Sequence, residues 1–204
     1  IALAPQIEAL GFDSVWLGDH TVTPPTFAHA YGPGFMDPFV LMGYLAAATK
    51  TIDIGTTIVV VPYRHPLVTA NMLATADNLS GGRIIFGAAA GWDAEEFAAL
   101  NVPYDKRGDI TDEYLEAIRT LWKLPKASFD GQFVQFANVI LSPKPIRPTG
   151  VRTWIGGNSP AAQRRAVRFG EVWNPSDASR QDLWEGINLM AAASEAAGRA
   201  NPPG

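Results

Sequence analysis

Short β-rich runs alternate with stretches of helical periodicity along this chain. Residues 12–17, 52–61, 83–86, 151–155 and 171–173 carry apolar and β-branched positions in runs of a length that suits buried strands. Between them the signals are helical. Residues 1–10 read as the tail of a helix closed by Gly11, and Asp37-Pro38 opens a helix that reaches about Thr49. Another helix follows Pro66 to Leu79 and is stopped by Ser80-Gly81-Gly82. Residues 93–100 predict a short helix and 109–122 a longer one. The longer one sets Ile110, Tyr114, Ala117, Ile118 and Leu121 on one face. Asp109, Asp112 and Glu113 stand near its start, where the helix dipole favours acids. Residues 181–197 predict a last helix.

Two stretches break the alternation. Residues 21–36 are rich in Pro, Thr and Gly and read as a loop. Residues 128–141 read as a surface hairpin, and Pro143, Pro145 and Pro148 follow as a stiff connector. No shift in composition marks a boundary, so residues 1–204 are expected to form one domain with residues 123–150 as an insertion. The repeated strand–helix unit implies parallel strands joined by right-handed crossovers. Gly18-Asp19-His20, Thr56-Thr57, residues 88–91, residues 156–159 and Asn174-Pro175-Ser176 then all fall at the carboxyl ends of strands. In a barrel of such units that face carries the active site. Five strands can be counted where a closed barrel has eight. The fold class expected is therefore α/β, a partial (β/α)8 TIM barrel lacking one strand at the front and two at the back.

Chemistry collects at those strand ends. Val151, Trp154 and Ile155 lead into Gly156-Gly157, then Asn158, then Ser159 as helix cap and Pro160 as first helical residue. A glycine turn feeding a capped helix start offers N–H groups and a positive dipole end to an anion such as phosphate. The same turn also serves tight packing in many α/β folds. His20 ends its strand as one of three histidines, either a proton donor and acceptor beside a bound ring or a loop histidine held by backbone. Asp19 and His20 are adjacent and point to opposite faces, so they do not make a metal site together. Ala88, Ala89, Ala90 and Gly91 are small enough for a flat ligand to approach the backbone, or for close helix packing. Thr57-Ile58 reads as plain strand. Arg64-His65 reads as a solvated turn, with contact to an anionic tail as the other possibility. Trp154 and Trp173 read as core or pocket wall.

Composition narrows the function classes. The chain has 204 residues, 47% of them hydrophobic, enough for a proper core. A net charge of −4 with no basic run argues against a nucleic-acid surface. Without cysteine there is no disulfide, thiolate–zinc site or thiol catalysis. No apolar run approaches the ~20 residues of a membrane span, so a cytoplasmic protein away from membranes is expected.

Residues 11–20 (GFDSVWLGDH), 79–92 (LSGGRIIFGAAAGW) and 154–165 (WIGGNSPAAQRR) together resemble the bacterial luciferase-like monooxygenase superfamily. Within it they are most similar to the oxidoreductases that depend on the deazaflavin coenzyme F420. The resemblance extends over nearly the whole chain. It implies a (β/α)8 barrel with a flavin or deazaflavin at the carboxyl ends of its strands. Asp19 and His20 would lie beside the ring, with His20 handling a proton. Thr57-Ile58 matches the place of a non-prolyl cis peptide backing the ring. Ala89, Ala90 and Gly91 would border the ring or its ribityl chain, and Gly156, Gly157, Asn158 and Ser159 would hold the phosphate. Two stretches depart from the family pattern. Alanines stand at 88–90 where glycines are common, and Glu171-Val172 stands where Asp-Gly usually precedes the tryptophan. The implied function is hydride transfer between coenzyme F420 and a small organic substrate. The alternatives are an FMN-dependent monooxygenase using oxygen, and a flavin-binding derivative without catalysis. The resemblance also implies a homodimer for the complete protein.

Overall fold

The computed structural model describes residues 3–26, 29, 32 and 34–204. Five of the positions in the expected 21–36 loop, and the first two of the expected opening helix, lie outside the described residues. Helix α1 (Ala4–Ala9) precedes strand β1 (Ser14–Leu17). Helix α2 (Pro38–Ala48) begins where the sequence signals it: the Asp37 carboxylate accepts from the N–H groups of Phe39 and Val40. Strands β2 (Asp53–Thr56) and β3 (Val59–Val60), helix α3 (Pro66–Ser80) and strand β4 (Ile84–Ala89) follow. Gly81 closes α3 in the left-handed conformation that favours glycine. Then come α4 (Ala94–Ala99), α5 (Arg107–Lys123), β5 (Ala127–Asp130), β6 (Gln135–Val139), β7 (Arg152–Gly156), α6 (Pro160–Phe169), β8 (Val172–Asn174) and α7 (Arg180–Ala196).

The main sheet is parallel throughout, in the order β1-β2-β4-β7-β8, with β3 also paired to β4. This is the order that consecutive right-handed βα units lay down, and it corresponds to part of a (β/α)8 barrel; the described residues do not close it. Strands β5 and β6 form a separate antiparallel pair, as the hairpin reading of residues 128–141 expected. Among the described residues no helix is long and apolar enough to cross a membrane.

Two sequence expectations change here. The single β run at 52–61 is divided into β2 and β3 by a cis peptide between Thr57 and Ile58, and residues 61–63 turn into a 3-10 helix. In α5 the buried face holds Ile110, Leu115, Ile118, Leu121 and Trp122, whereas Tyr114 is only partly buried. The apolar stripe is wider than the one traced from Tyr114, because α5 packs on both α3 and the 61–63 turn. The Trp122 indole N–H donates to the Ala70 carbonyl of α3, so a large apolar ring is buried without stranding its polar atom. Each fully buried Leu or Ile here contributes roughly 1.5–3 kcal/mol.

Candidate functional site

At the carboxyl ends of the parallel strands lies a cavity of about 570 Å3. Of the residues singled out from sequence, it brings together Asp19, His20, Thr57, Ile58, Ala89, Ala90, Gly91, Gly156, Gly157 and Ser159. Asn158 is not in its wall. The Asn158 side chain is instead bonded to the backbone of Ser176, accepting from its N–H and donating to its carbonyl, which fixes the loop after β8 to the loop after β7.

The turn after β7 is built as the sequence suggests. Gly157 sits at φ +109°, open to glycine and strained for other residues. A side chain at Gly156 would press on the Ile58 methyl group, so this glycine lets the 57–58 segment pack against β7. The Ser159 hydroxyl accepts from the Ala162 N–H and caps α6. Among the described residues the Ser159 and Ala161 amides have no acceptor, and both stand at the helix's positive end. Trp173, from β8, donates its indole N–H to the Gly157 carbonyl and so fixes the turn. The indole is therefore pocket support with its ring in the core, and Ala89 lies beside Gly156 on the neighbouring strand β4.

Another part of the cavity wall gathers His20, Tyr63 and Asp93, with Glu96 behind them. Glu96, from α4, is wholly buried. Its Oε1 accepts from the backbone N–H of Thr21 (2.5 Å) and Val22 (3.1 Å). Its Oε2 accepts from the Tyr63 hydroxyl at 2.8 Å and lies 2.9 Å from His20 Nδ1. A carboxylate only accepts, so Nδ1 carries the imidazole proton and Nε2 is the ring's acceptor nitrogen. Burial pushes the Tyr63 phenol far above its usual range, and the Glu96 carboxylate adds to that shift, so Tyr63 stays a donor. Phe35 and Trp92 flank the His20 ring, with centroids 4.8 and 6.0 Å away. Asp93 caps α4 with one oxygen, while its other oxygen is buried without a hydrogen-bond partner among the described residues.

His20, Asp93 and Glu96 offer donor atoms within 4.8 Å of one another, near enough for a cation. The four lone-pair directions of Glu96 are already met by four donors, however. The cluster therefore suits a proton better than a metal ion.

Asp19 and Arg64 correct a sequence expectation. Arg64 is no solvated turn: its guanidinium grips both Asp19 oxygens at 2.7 and 2.8 Å and also reaches Asp37. Asp19 further accepts from the Val60 N–H at 3.0 Å. Its carboxylate is thus committed to joining the ends of β1 and β3, 3% exposed beside the cavity. Reading the sequence locally missed Glu96, Tyr63 and Asp93, together with Arg107 and Arg165 in the cavity wall. Arg165 is buried and held by Asp112, and Arg107 stacks on Tyr104.

A family model described as luciferase-like monooxygenase matches residues 1–203. An FMNH(2)-dependent dimethylsulfone monooxygenase of Pseudomonas fluorescens is 32% identical over 174 residues, covering 83% of this chain and 45% of that protein. The crystal structure of monooxygenase RslO1 from Streptomyces bottropensis superposes with a TM-score of 0.86 at 28% identity, over 98% of this chain and 60% of that one. An F420-dependent secondary alcohol dehydrogenase, solved with an F420-acetone adduct, superposes at 0.85 with 25% identity, over 97% and 60%. The chain thus spans about 60% of the length of these solved relatives.

Proposed function

Because the chain belongs to the luciferase-like monooxygenase family, we propose that it serves an oxidoreductase in which the deazaflavin coenzyme F420 exchanges a hydride with a small organic substrate. The observation that carries this reading is one of placement. The glycine turn at the capped start of α6 and His20, held by Glu96, line a single cavity. A phosphate-bearing ring cofactor suits that layout, because its anionic end and its reactive end need different partners at a fixed separation. The cavity volume falls within the range of small-molecule sites.

In this reading Gly156, Gly157 and Ser159 hold the phosphate, with Asn158 fixing the adjoining loop. Thr57, Ile58, Ala89, Ala90 and Gly91 form the floor against which a flat ring lies. When bound, the deazaflavin supplies two-electron hydride chemistry. The chain's own part is to hold the ring, to limit water through Phe35 and Trp92, and to manage a proton at His20 Nε2. Asp19 keeps the ends of β1 and β3 in register through Arg64 and the Val60 amide.

The FMN reading has a specific observation in its favour. Arg64, the cation the sequence offers for the deazaflavin's acidic tail, is committed to Asp19 and Asp37. The P. fluorescens relative, moreover, is named for FMNH(2). Titrating the protein separately with coenzyme F420 and with FMN, followed by fluorescence, decides between them. Micromolar binding of the deazaflavin with no competition from FMN is expected. Preference for FMN transfers the protein to the oxygen-using branch, and binding of neither defeats the phosphate assignment. Gly157→Leu should abolish binding of whichever cofactor the protein takes, since a side chain there both strains the turn and crowds Ala162.

A further inference from the structure

Glu96 does more than fill a buried position beside the cavity. Oε1 is held by two backbone amides that cannot rotate away, those of Thr21 and Val22. That anchorage fixes the direction in which Oε2 points, toward His20 Nδ1 and the Tyr63 hydroxyl. The pair spans 76 residues of sequence, joining α4 to the end of β1.

From this geometry we infer that Glu96 is the positioning residue that sets the tautomer of His20, keeping the proton on Nδ1 so that Nε2 can accept a proton in the cavity. This rests on the reading of His20 as the proton-handling residue. Removing the carboxylate's charge while keeping its shape reverses the arrangement. In Glu96→Gln the amide oxygen must take the Oε1 place, because only an acceptor satisfies the Thr21 and Val22 amides. The NH2 group then faces His20 Nδ1 and the Tyr63 oxygen as a donor. Nδ1 must become an acceptor, and the ring proton moves to Nε2. Every buried group retains a partner, so the variant is expected to fold.

The test reads the tautomer directly. The protein, with 15N-labelled histidine, is observed by long-range proton–nitrogen correlation at a pH where the imidazole is neutral. Its three histidines keep the spectrum simple, and His20→Ala assigns the signal of interest. The wild-type spectrum should show the proton on Nδ1; finding it on Nε2 overturns the inference without recourse to any variant. Glu96→Gln should move it to Nε2, and an unmoved proton likewise overturns it. Tyr63→Phe removes a neighbour on the same oxygen and should leave the proton on Nδ1; a swap there would transfer the role to Tyr63.

Turnover gives the second readout. With the cofactor found by titration, Glu96→Gln should lower kcat by about 10²–10⁴-fold while cofactor Kd changes little. A swapped tautomer with unchanged kcat would show that Glu96 does not position a working group. If the wild type binds neither coenzyme F420 nor FMN, the proposed function fails, while the tautomer measurement still stands or falls by itself.

Discussion

The two ends of the parallel sheet are built from the same residue types and put to opposite use. At the amino ends, charged side chains are spent on the backbone and on one another. Arg83, just before β4, donates to the carbonyls of Ala46, Thr49, Ile52 and Ser80 and to the Thr49 hydroxyl. Arg152 and Asp53, the first residues of β7 and β2, pair through two hydrogen bonds of 2.8 and 2.7 Å. At the carboxyl ends, acids and a histidine converge on a cavity. An Asp93 oxygen there and Arg152 Nε at the amino end are both buried with no hydrogen-bond partner among the described residues. The amino end is a joint between strands and helices; the carboxyl end surrounds a cavity. That division matches the general behaviour of βα barrels, in which conservation of one face serves stability and of the other serves chemistry.

The sharpest way to break this division is to strike each end and ask whether the effects stay separate. His20→Ala should lower kcat by about 10²–10⁴-fold with cofactor Kd nearly unchanged. A loss of binding equal to the loss of rate would mean that His20 holds the ligand and handles no proton. Arg83→Met should do the reverse. It keeps the aliphatic stem but leaves several partly buried carbonyls without their donor, at a cost on the order of 3 kcal/mol. Urea unfolding measures that cost, and cofactor Kd for the folded fraction should match wild type. If Arg83→Met instead weakens cofactor binding in proportion to its loss of stability, the two ends are coupled and the separation fails.

How far sequence could see depended on range. Elements set by local signals were legible: Asp37-Pro38 opens α2, Gly81 closes α3, and Ser159-Pro160 opens α6. The strand ends that line the cavity could be found because parallel order places them on one face. What escaped was set by partners distant in sequence. Arg64 looked like a turn residue because its partner Asp19 lies 45 positions away. Glu96 stands three residues after the helix cap Asp93, a spacing that by itself suggests a capping box. In the structure its side chain turns to residues 20–22 and Tyr63 instead. A six-residue helix is too short for periodicity to say which of Glu95 and Glu96 faces inward. The resemblance placed a cis peptide at Thr57-Ile58, whereas the residue pattern alone read plain strand; the structure has the cis bond.

The smallest effect tests whether the amino-end joint extends to α1. The Glu8 carboxylate accepts from the backbone N–H groups of Lys50, Thr51 and Ile52 and from the Thr51 hydroxyl. Those hydrogen bonds, the Thr51 amide first, favour the charged form and lower its pKa from 4.5 to about 2. A depressed carboxylate pKa stabilises the fold fully above the unfolded value of 4.5 and loses that contribution as pH falls through about 2. Other carboxylates titrate in the same window, so the informative quantity is the difference between wild type and Glu8→Gln. Thermal midpoints taken from pH 6 down to pH 2 should show a modest gap that is constant above pH 5 and narrows steadily below it. A gap that stays the same across the whole range would mean that the Glu8 charge contributes nothing. The link between α1 and the loop before β2 would then rest on shape alone.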